Sequence, residues 1–105
     1  MKLSDARYDE LLELATVDCY DKEEEFSGVL TMLEDILDFP LKATLAGVPV
    51  IVRGIDSQHS TLRRGIVAIV EREDKRYAVG LVDLDFSDLA PKQDEWIAMV
   101  QRWAQ

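Results

Sequence analysis

The hydrophobic period of the chain changes once, near Pro40, dividing it into helix-patterned and strand-patterned parts. Tyr8, Leu11, Leu12 and Ala15 recur at three- and four-residue steps, the spacing of one helical face, and Ser4 stands where an N-cap belongs. A first helix is expected over residues 5–15. Asp21 and Glu24 have the spacing of a capping-box variant, and Glu23 to Glu25 place anions at the positive end of a helix dipole. A second helix therefore starts near Asp21, with Phe26, Val29, Leu30, Leu33, Ile36 and Leu37 as its apolar stripe. Asp38-Phe39-Pro40 ends it, because the residue before a proline avoids helical geometry. From Leu41 onward the apolar residues fall in short, β-branched runs: LKATLAG, VPVIVRGID, GIVAIVERE and RYAVGLVDL. These predict four or five strands. Glu73-Asp74-Lys75 reads as a hairpin tip, and Asp56 to Leu62 as a polar loop. So few sequential antiparallel strands must curl into a small barrel to protect their edges. Pro91 suits the first turn of a last helix. Trp96, Val100, Trp103 and Ala104 share one face there, which is expected to set its indoles against the barrel or the N-terminal helices. The expected fold class is α+β, with two N-terminal helices, a small antiparallel barrel or meander, and a C-terminal helix.

Composition narrows the function classes. The 105 residues are 48% apolar with five Gly and three Pro, enough for one domain over residues 1–105 with its own core. The longest uncharged apolar run, Ala43 to Val52, is interrupted by Gly47 and Pro49 and is far shorter than the ~20 residues that span a bilayer. No membrane association is expected. The start, MKLSDARYDELLEL, has neither a secretory apolar core nor the basic bias of a transit peptide, so the expected address is cytoplasmic. A single cysteine, Cys19, cannot form an internal disulfide or a Cys-based zinc site. The net charge is −9, and its distribution is uneven. Residues 1–38 carry 12 acids and 3 bases, residues 39–82 carry 4 and 7, and residues 83–105 carry 5 and 2. An N-terminal third this negative repels a phosphate backbone, which argues against nucleic acid as a partner. Arg63, Arg64, Arg72, Lys75 and Arg76 form a local basic patch able to touch an anionic protein or ligand.

Catalytic constellations are missing from the sequence. A nucleophile needs a base that is itself oriented by a third group, and the one histidine, His59, lies about forty residues from Cys19 in a polar loop. One His cannot build an imidazole-rich metal site, and no phosphate-cradling glycine loop or HExxH pair occurs. The chain is not expected to be an enzyme. What it has in quantity is carboxylate oxygen, the ligand that Ca²⁺ takes six to eight at a time in irregular geometry. On the second helix, Asp21, Glu24, Thr31, Asp35 and Asp38 occupy the sector opposite the apolar stripe. At ~1.5 Å rise per residue, Glu24 and Asp35 are too far apart to share an ion, so each end of the helix is a separate candidate. These are Asp18, Asp21 and Glu24, and Glu34, Asp35 and Asp38. The third cluster is Asp83, Asp85 and Asp88, in the run DLDFSD. It mimics the start of an EF-hand loop but has Asp88 where the sharp turn needs Gly, Pro91 within the loop, and a strand before it. A looser oxygen site is the reading left open. A charged face that only keeps the protein soluble is the plain alternative for all three clusters.

The segment VDCYDKEEEFSGVLTMLEDILDFPLKA, residues 17–43, resembles the signature of the small cyanobacterial-type calcium-binding protein family, whose members lack EF-hands. The residues that carry the resemblance are Asp18, Cys19, Tyr20, Asp21, Glu24, Leu33, Glu34, Asp35, Phe39, Pro40, Lys42 and Ala43. It continues more loosely through the strand-rich middle, the GLVDLDF turn and the helix bearing Trp96 and Trp103, while residues 4–15 lie outside it. Where the family often has a glycine followed by aromatics, this chain has Gly28-Val29-Leu30-Thr31-Met32. The resemblance implies an α+β domain with a small SH3-like barrel and a role in binding or buffering Ca²⁺ without catalysis. The rival reading is a non-enzymatic interaction module whose acidic helix face binds an unidentified protein partner, calcium being incidental.

Overall fold

Each N-terminal helix begins where a short polar side chain meets a free backbone N–H. Ser4 Oγ accepts from the Arg7 N–H at 3.1 Å and opens α1, Asp5–Ala15. Asp21 Oδ1 accepts from the Glu24 N–H at 2.8 Å and opens α2, Lys22–Ile36. These elements belong to a computed structural model that describes residues 2–104. Leu37 turns extended and closes α2, followed by a cis bond between Phe39 and Pro40. The third helix, α3, spans Pro91–Trp103 with its proline in the first turn, where a missing N–H costs nothing. The chain forms two compact units: α1, α2 and α3 make one, and Asp38–Leu89 the other.

In the helical unit the buried side chains follow the predicted stripes. Leu11 and Ala15 on α1, Phe26, Val29 and Leu33 on α2, and Trp96 and Val100 on α3 are all buried. Phe26 and Trp103 meet with ring centroids 6.1 Å apart, so this indole packs on an N-terminal helix. Ala104 departs from expectation: α3 ends at Trp103, so Ala104 caps the helix in an exposed position, while Ile97 and Met99 are buried. Charges tie α1 to α3. Arg7 donates through Nε and Nη2 to the two oxygens of Glu95 at 2.8 and 3.0 Å, and also pairs with Glu10. Arg102 Nη2 donates to Asp5 Oδ1 at 2.8 Å, and its guanidinium lies 4.1 Å over the Tyr8 ring.

The β unit contains β1 (Leu41–Leu45), β2 (Val48–Ile55), β3 (Val67–Arg72), β4 (Lys75–Gly80) and β5 (Leu84–Ser87). All pairings are antiparallel and the sheet order is β4-β3-β2-β1-β5. The first four strands are thus the expected meander, and the fifth returns to pair with β1. Ala46-Gly47 and Glu73-Asp74 make the two tight hairpin turns, each with both residues at positive φ, as a turn matched to strand twist requires. RYAVGLVDL is not one strand, because a 3₁₀ turn at Leu81–Asp83 separates β4 from β5. Val50, Val52, Val67, Ala68, Val70, Leu81 and Leu84 are buried. The polar loop after β2 is fastened by Ser60, whose buried hydroxyl donates to Asp56 O at 2.7 Å and accepts from the Val67 N–H at 2.8 Å. Among the described residues no helix is long and apolar enough to cross a membrane.

Candidate functional site

The connection from α1 to α2 is where local chemistry sets carboxylates most tightly. Thr16 closes α1, its N–H and hydroxyl both donating to Leu12 O at 3.0 and 2.7 Å. Asp18 follows at φ 61, a left-handed position that a short polar side chain tolerates better than most. The Cys19 N–H returns to Thr16 O at 3.1 Å, and its thiol donates to Glu24 O at 3.4 Å. Gly28 explains why the turn can be so short: a Cβ there would lie 2.4 Å from Ala15 O and 3.3 Å from Cys19 Sγ. The crossing of α1 and α2 therefore requires glycine at this position. Desolvation pushes the Cys19 thiol up from its ordinary value, and the neighbouring Glu24 carboxylate adds to the shift. That favours the inert protonated thiol.

Within this turn Asp21 and Glu24 are fixed by the backbone rather than by cations. Asp21 caps α2, and Glu24 Oε2 reaches back to accept from the Tyr20 N–H at 3.1 Å. This is the reciprocal arrangement of a capping box with its return bond shifted by one residue. Each cap uses one oxygen of a carboxylate that has two, so acceptor capacity remains. Asp18, Asp21 and Glu24 are all exposed.

Glu34 and Asp35 lie exposed in the last turn of α2, which contains no basic residue. Carboxylates at the negative end of a helix dipole are electrostatically unfavourable without a cation nearby. Asp38 is also exposed and belongs to the β unit. The third cluster is spread over three backbone environments. Asp83 is in the 3₁₀ turn with an oxygen 3.1 Å from where a Gly80 Cβ would lie, Asp85 is on β5 opposite Thr44, and Asp88 follows at φ 57. Asp88 takes a left-handed conformation although it is not glycine. β5 is an extended ladder on β1, so no EF-hand loop forms here.

Among the described residues no three of His, Cys, Asp and Glu converge closely enough to hold a metal ion. The donor chemistry nevertheless fits a hard cation, because the candidate ligands are exposed carboxylates with no imidazole among them. Asp18, Asp21 and Glu24 bring three exposed carboxylates to the α1–α2 turn. Several titratable groups of the β unit are paired with one another instead. His59 Nδ1 sits 2.8 Å from Asp56 Oδ2, and this bond holds the Asp56 carboxyl below its usual range. Arg53 Nη2 and Arg76 Nε donate to the two oxygens of Glu71 at 2.7 and 3.2 Å, likewise lowering its pKa. In the predicted basic patch, Arg76 is thus bound to Glu71, and Arg72 donates to Pro49 O at 3.2 Å. The Arg53–Glu71 and Arg72–Pro49 contacts join positions 18 and 23 apart, so no local signal in the sequence marks them.

A family model described as calcium binding, of the CcbP type, matches residues 11–104. No curated protein matches the chain. Among solved structures, that of Anabaena CcbP aligns with a TM-score of 0.76 and 23% identity, covering 98% of this chain and 92% of that one. A calcium-binding protein in its calcium-binding form aligns with a TM-score of 0.77 and 22% identity, covering 95% and 90%. At these identities the structural likeness establishes the fold, three helices and a five-stranded antiparallel sheet, and its coverage includes α1, which the sequence resemblance left out. The family model spans most of the sequence, so the chain belongs to the CcbP-type calcium-binding family, which is not an enzyme family.

Proposed function

We propose that this protein binds Ca²⁺ through surface carboxylates outside any EF-hand, as a cytoplasmic, non-catalytic calcium buffer or sensor. The observation that carries the reading is family membership across residues 11–104. Oxygen-rich clusters of the right chemistry support it. Asp18, Asp21 and Glu24 are the first choice of ligands, because the α2 cap already holds two of them in one turn. Glu34, Asp35 and Asp38 are the second choice, and Asp83, Asp85 and Asp88 the third.

The clusters are open, so ligands must be gathered as the ion arrives, and this lowers affinity relative to a preformed loop. One or two ions are expected per chain, with dissociation constants of roughly 10⁻⁶ to 10⁻³ M. Calorimetric titration of chelator-stripped protein with CaCl₂, in physiological salt and excess Mg²⁺, tests this. Saturable heat with Ca²⁺ that Mg²⁺ does not abolish is the expected result, since Mg²⁺ demands near-octahedral geometry and gives up water reluctantly. A flat trace into the millimolar range, or equal competition by Mg²⁺, would reduce calcium to a counter-ion of the −9 charge.

A further inference from the structure

Most exposed large apolar residues occur singly on protein surfaces and carry no message. Three in this protein are close neighbours along the chain. Leu14, Val17 and Tyr20 are 53, 67 and 87% exposed and fall within seven consecutive residues, at the end of α1 and in the turn to α2. The segment is held in place. Thr16 and Cys19 are bonded to the backbone behind them, and the Tyr20 N–H donates to Glu24 Oε2. The Tyr20 ring is thus presented to water on an anchored backbone, which limits the ordering cost of binding something against it. Tyrosine is also among the side chains that most often dominate interface energetics.

The surroundings select the occupant. Residues 9–25 carry eight acids against one base, Lys22. At physiological ionic strength the Debye length is about 8 Å, so these charges act on anything touching the three side chains. An anionic bilayer or a nucleic acid is repelled. A segment with one apolar face and Lys or Arg beside it satisfies both features, the mode by which amphipathic helices dock. We propose that Leu14, Val17 and Tyr20 form a docking surface for a basic amphipathic segment of a partner protein. This goes beyond calcium binding; an ion on Asp18, Asp21 and Glu24 would offset part of the charge that attracts the partner, so the two are measured apart.

The test uses the full chain in chelator, so that it succeeds or fails independently of any metal site. Two labelled peptides of equal length and charge, one built from Leu and Lys and the other from Ser and Lys, are titrated by fluorescence anisotropy. The Leu/Lys peptide is expected to bind about tenfold more tightly or better, the effect of one good interface anchor. Leu14→Ser with Tyr20→Ser should erase that preference without changing the weak binding of the Ser/Lys peptide. Circular dichroism and melting of the variant should match wild type, as both side chains are exposed; if melting falls, Tyr20→Ser alone carries the comparison. Equal binding of the two peptides to wild type, or an unchanged preference in the variants, would overturn the proposal. So would flotation with neutral phosphatidylcholine vesicles that the variants abolish, which would assign the surface to lipid.

Discussion

Gly28 shows how much one missing atom decides. Replacing an interior helix glycine by alanine ordinarily stabilises by roughly 0.5–1 kcal/mol, through lost freedom of the unfolded chain. Here the added Cβ would lie 2.4 Å from a backbone oxygen of α1, which cannot rotate away as a side chain could. Gly28→Ala is therefore expected to destabilise, with a lower urea midpoint and a displaced α1–α2 turn. A midpoint at or above that of wild type would show that the two helices separate at little cost. Leu33, fully buried on the apolar stripe of α2, gives the reference for a packing defect: Leu33→Ala should cost about 2–5 kcal/mol.

At the scale of elements, the start of α2 sets a structural role and a proposed chemical one on the same residue. Asp21 caps the helix through one oxygen, and it is also among the ligands proposed for Ca²⁺. The roles separate by substitution. Asp21→Ala removes the cap and should cost about 1 kcal/mol, whereas asparagine caps as well as aspartate does. Asp21→Asn is therefore expected to melt close to wild type while weakening Ca²⁺ binding, because a neutral amide replaces a carboxylate. Unchanged calorimetry in Asp21→Asn would exclude Asp21 as a ligand. The cap was legible in the Asp21-to-Glu24 spacing, since its partners are three residues apart. The strand β5 was not legible as a strand, because DLDFSD is short and acidic and extends only by pairing with β1, some forty residues earlier.

The whole molecule carries two electrostatic loads, one that depends on pH and one that salt screens. Glu95 and Glu71 are held below the usual carboxylate range, by Arg7 and by Arg53 with Arg76 respectively. A depressed folded pKa contributes stability that is present above the unfolded value of about 4.3 and is lost as pH falls through the folded value. Against this, the twelve acids of residues 1–38 repel one another, and salt screens that repulsion. Melting measured from pH 7 to pH 3 should therefore show an acid limb that is shallower in Glu95→Gln, with a lower melting temperature than wild type at pH 7. Parallel acid limbs would locate the loss elsewhere. The same repulsion gives a control for metal binding: NaCl should raise the melting temperature, and CaCl₂ at matched ionic strength should raise it further. At a hundredfold excess over Kd the specific part is ~2.7 kcal/mol, or roughly 10–20 °C for a domain of this size. Coincident curves in the two salts would mean that calcium acts only as a counter-ion.

What the sequence determined by itself is what depends on neighbours a few residues away. Ser4 and Asp21 start helices, Pro40 follows the end of one, Glu73-Asp74 makes a hairpin, and a 3.6-residue stripe gives way to alternation, because each signal acts within a turn or two of chain. The family signature in residues 17–43 was legible for the same reason, as a linear pattern of side chains. The tertiary structure decided everything that needs two distant segments in contact. Arg7 meets Glu95 across 88 positions, β5 folds back onto β1, and Gly28 is required because another helix passes over it. It also decided which acids stand apart and which apolar residues stay in water. The number of carboxylates is set by composition, but their convergence, and the exposure of Leu14, Val17 and Tyr20, depend on how the helices and turns that carry them pack.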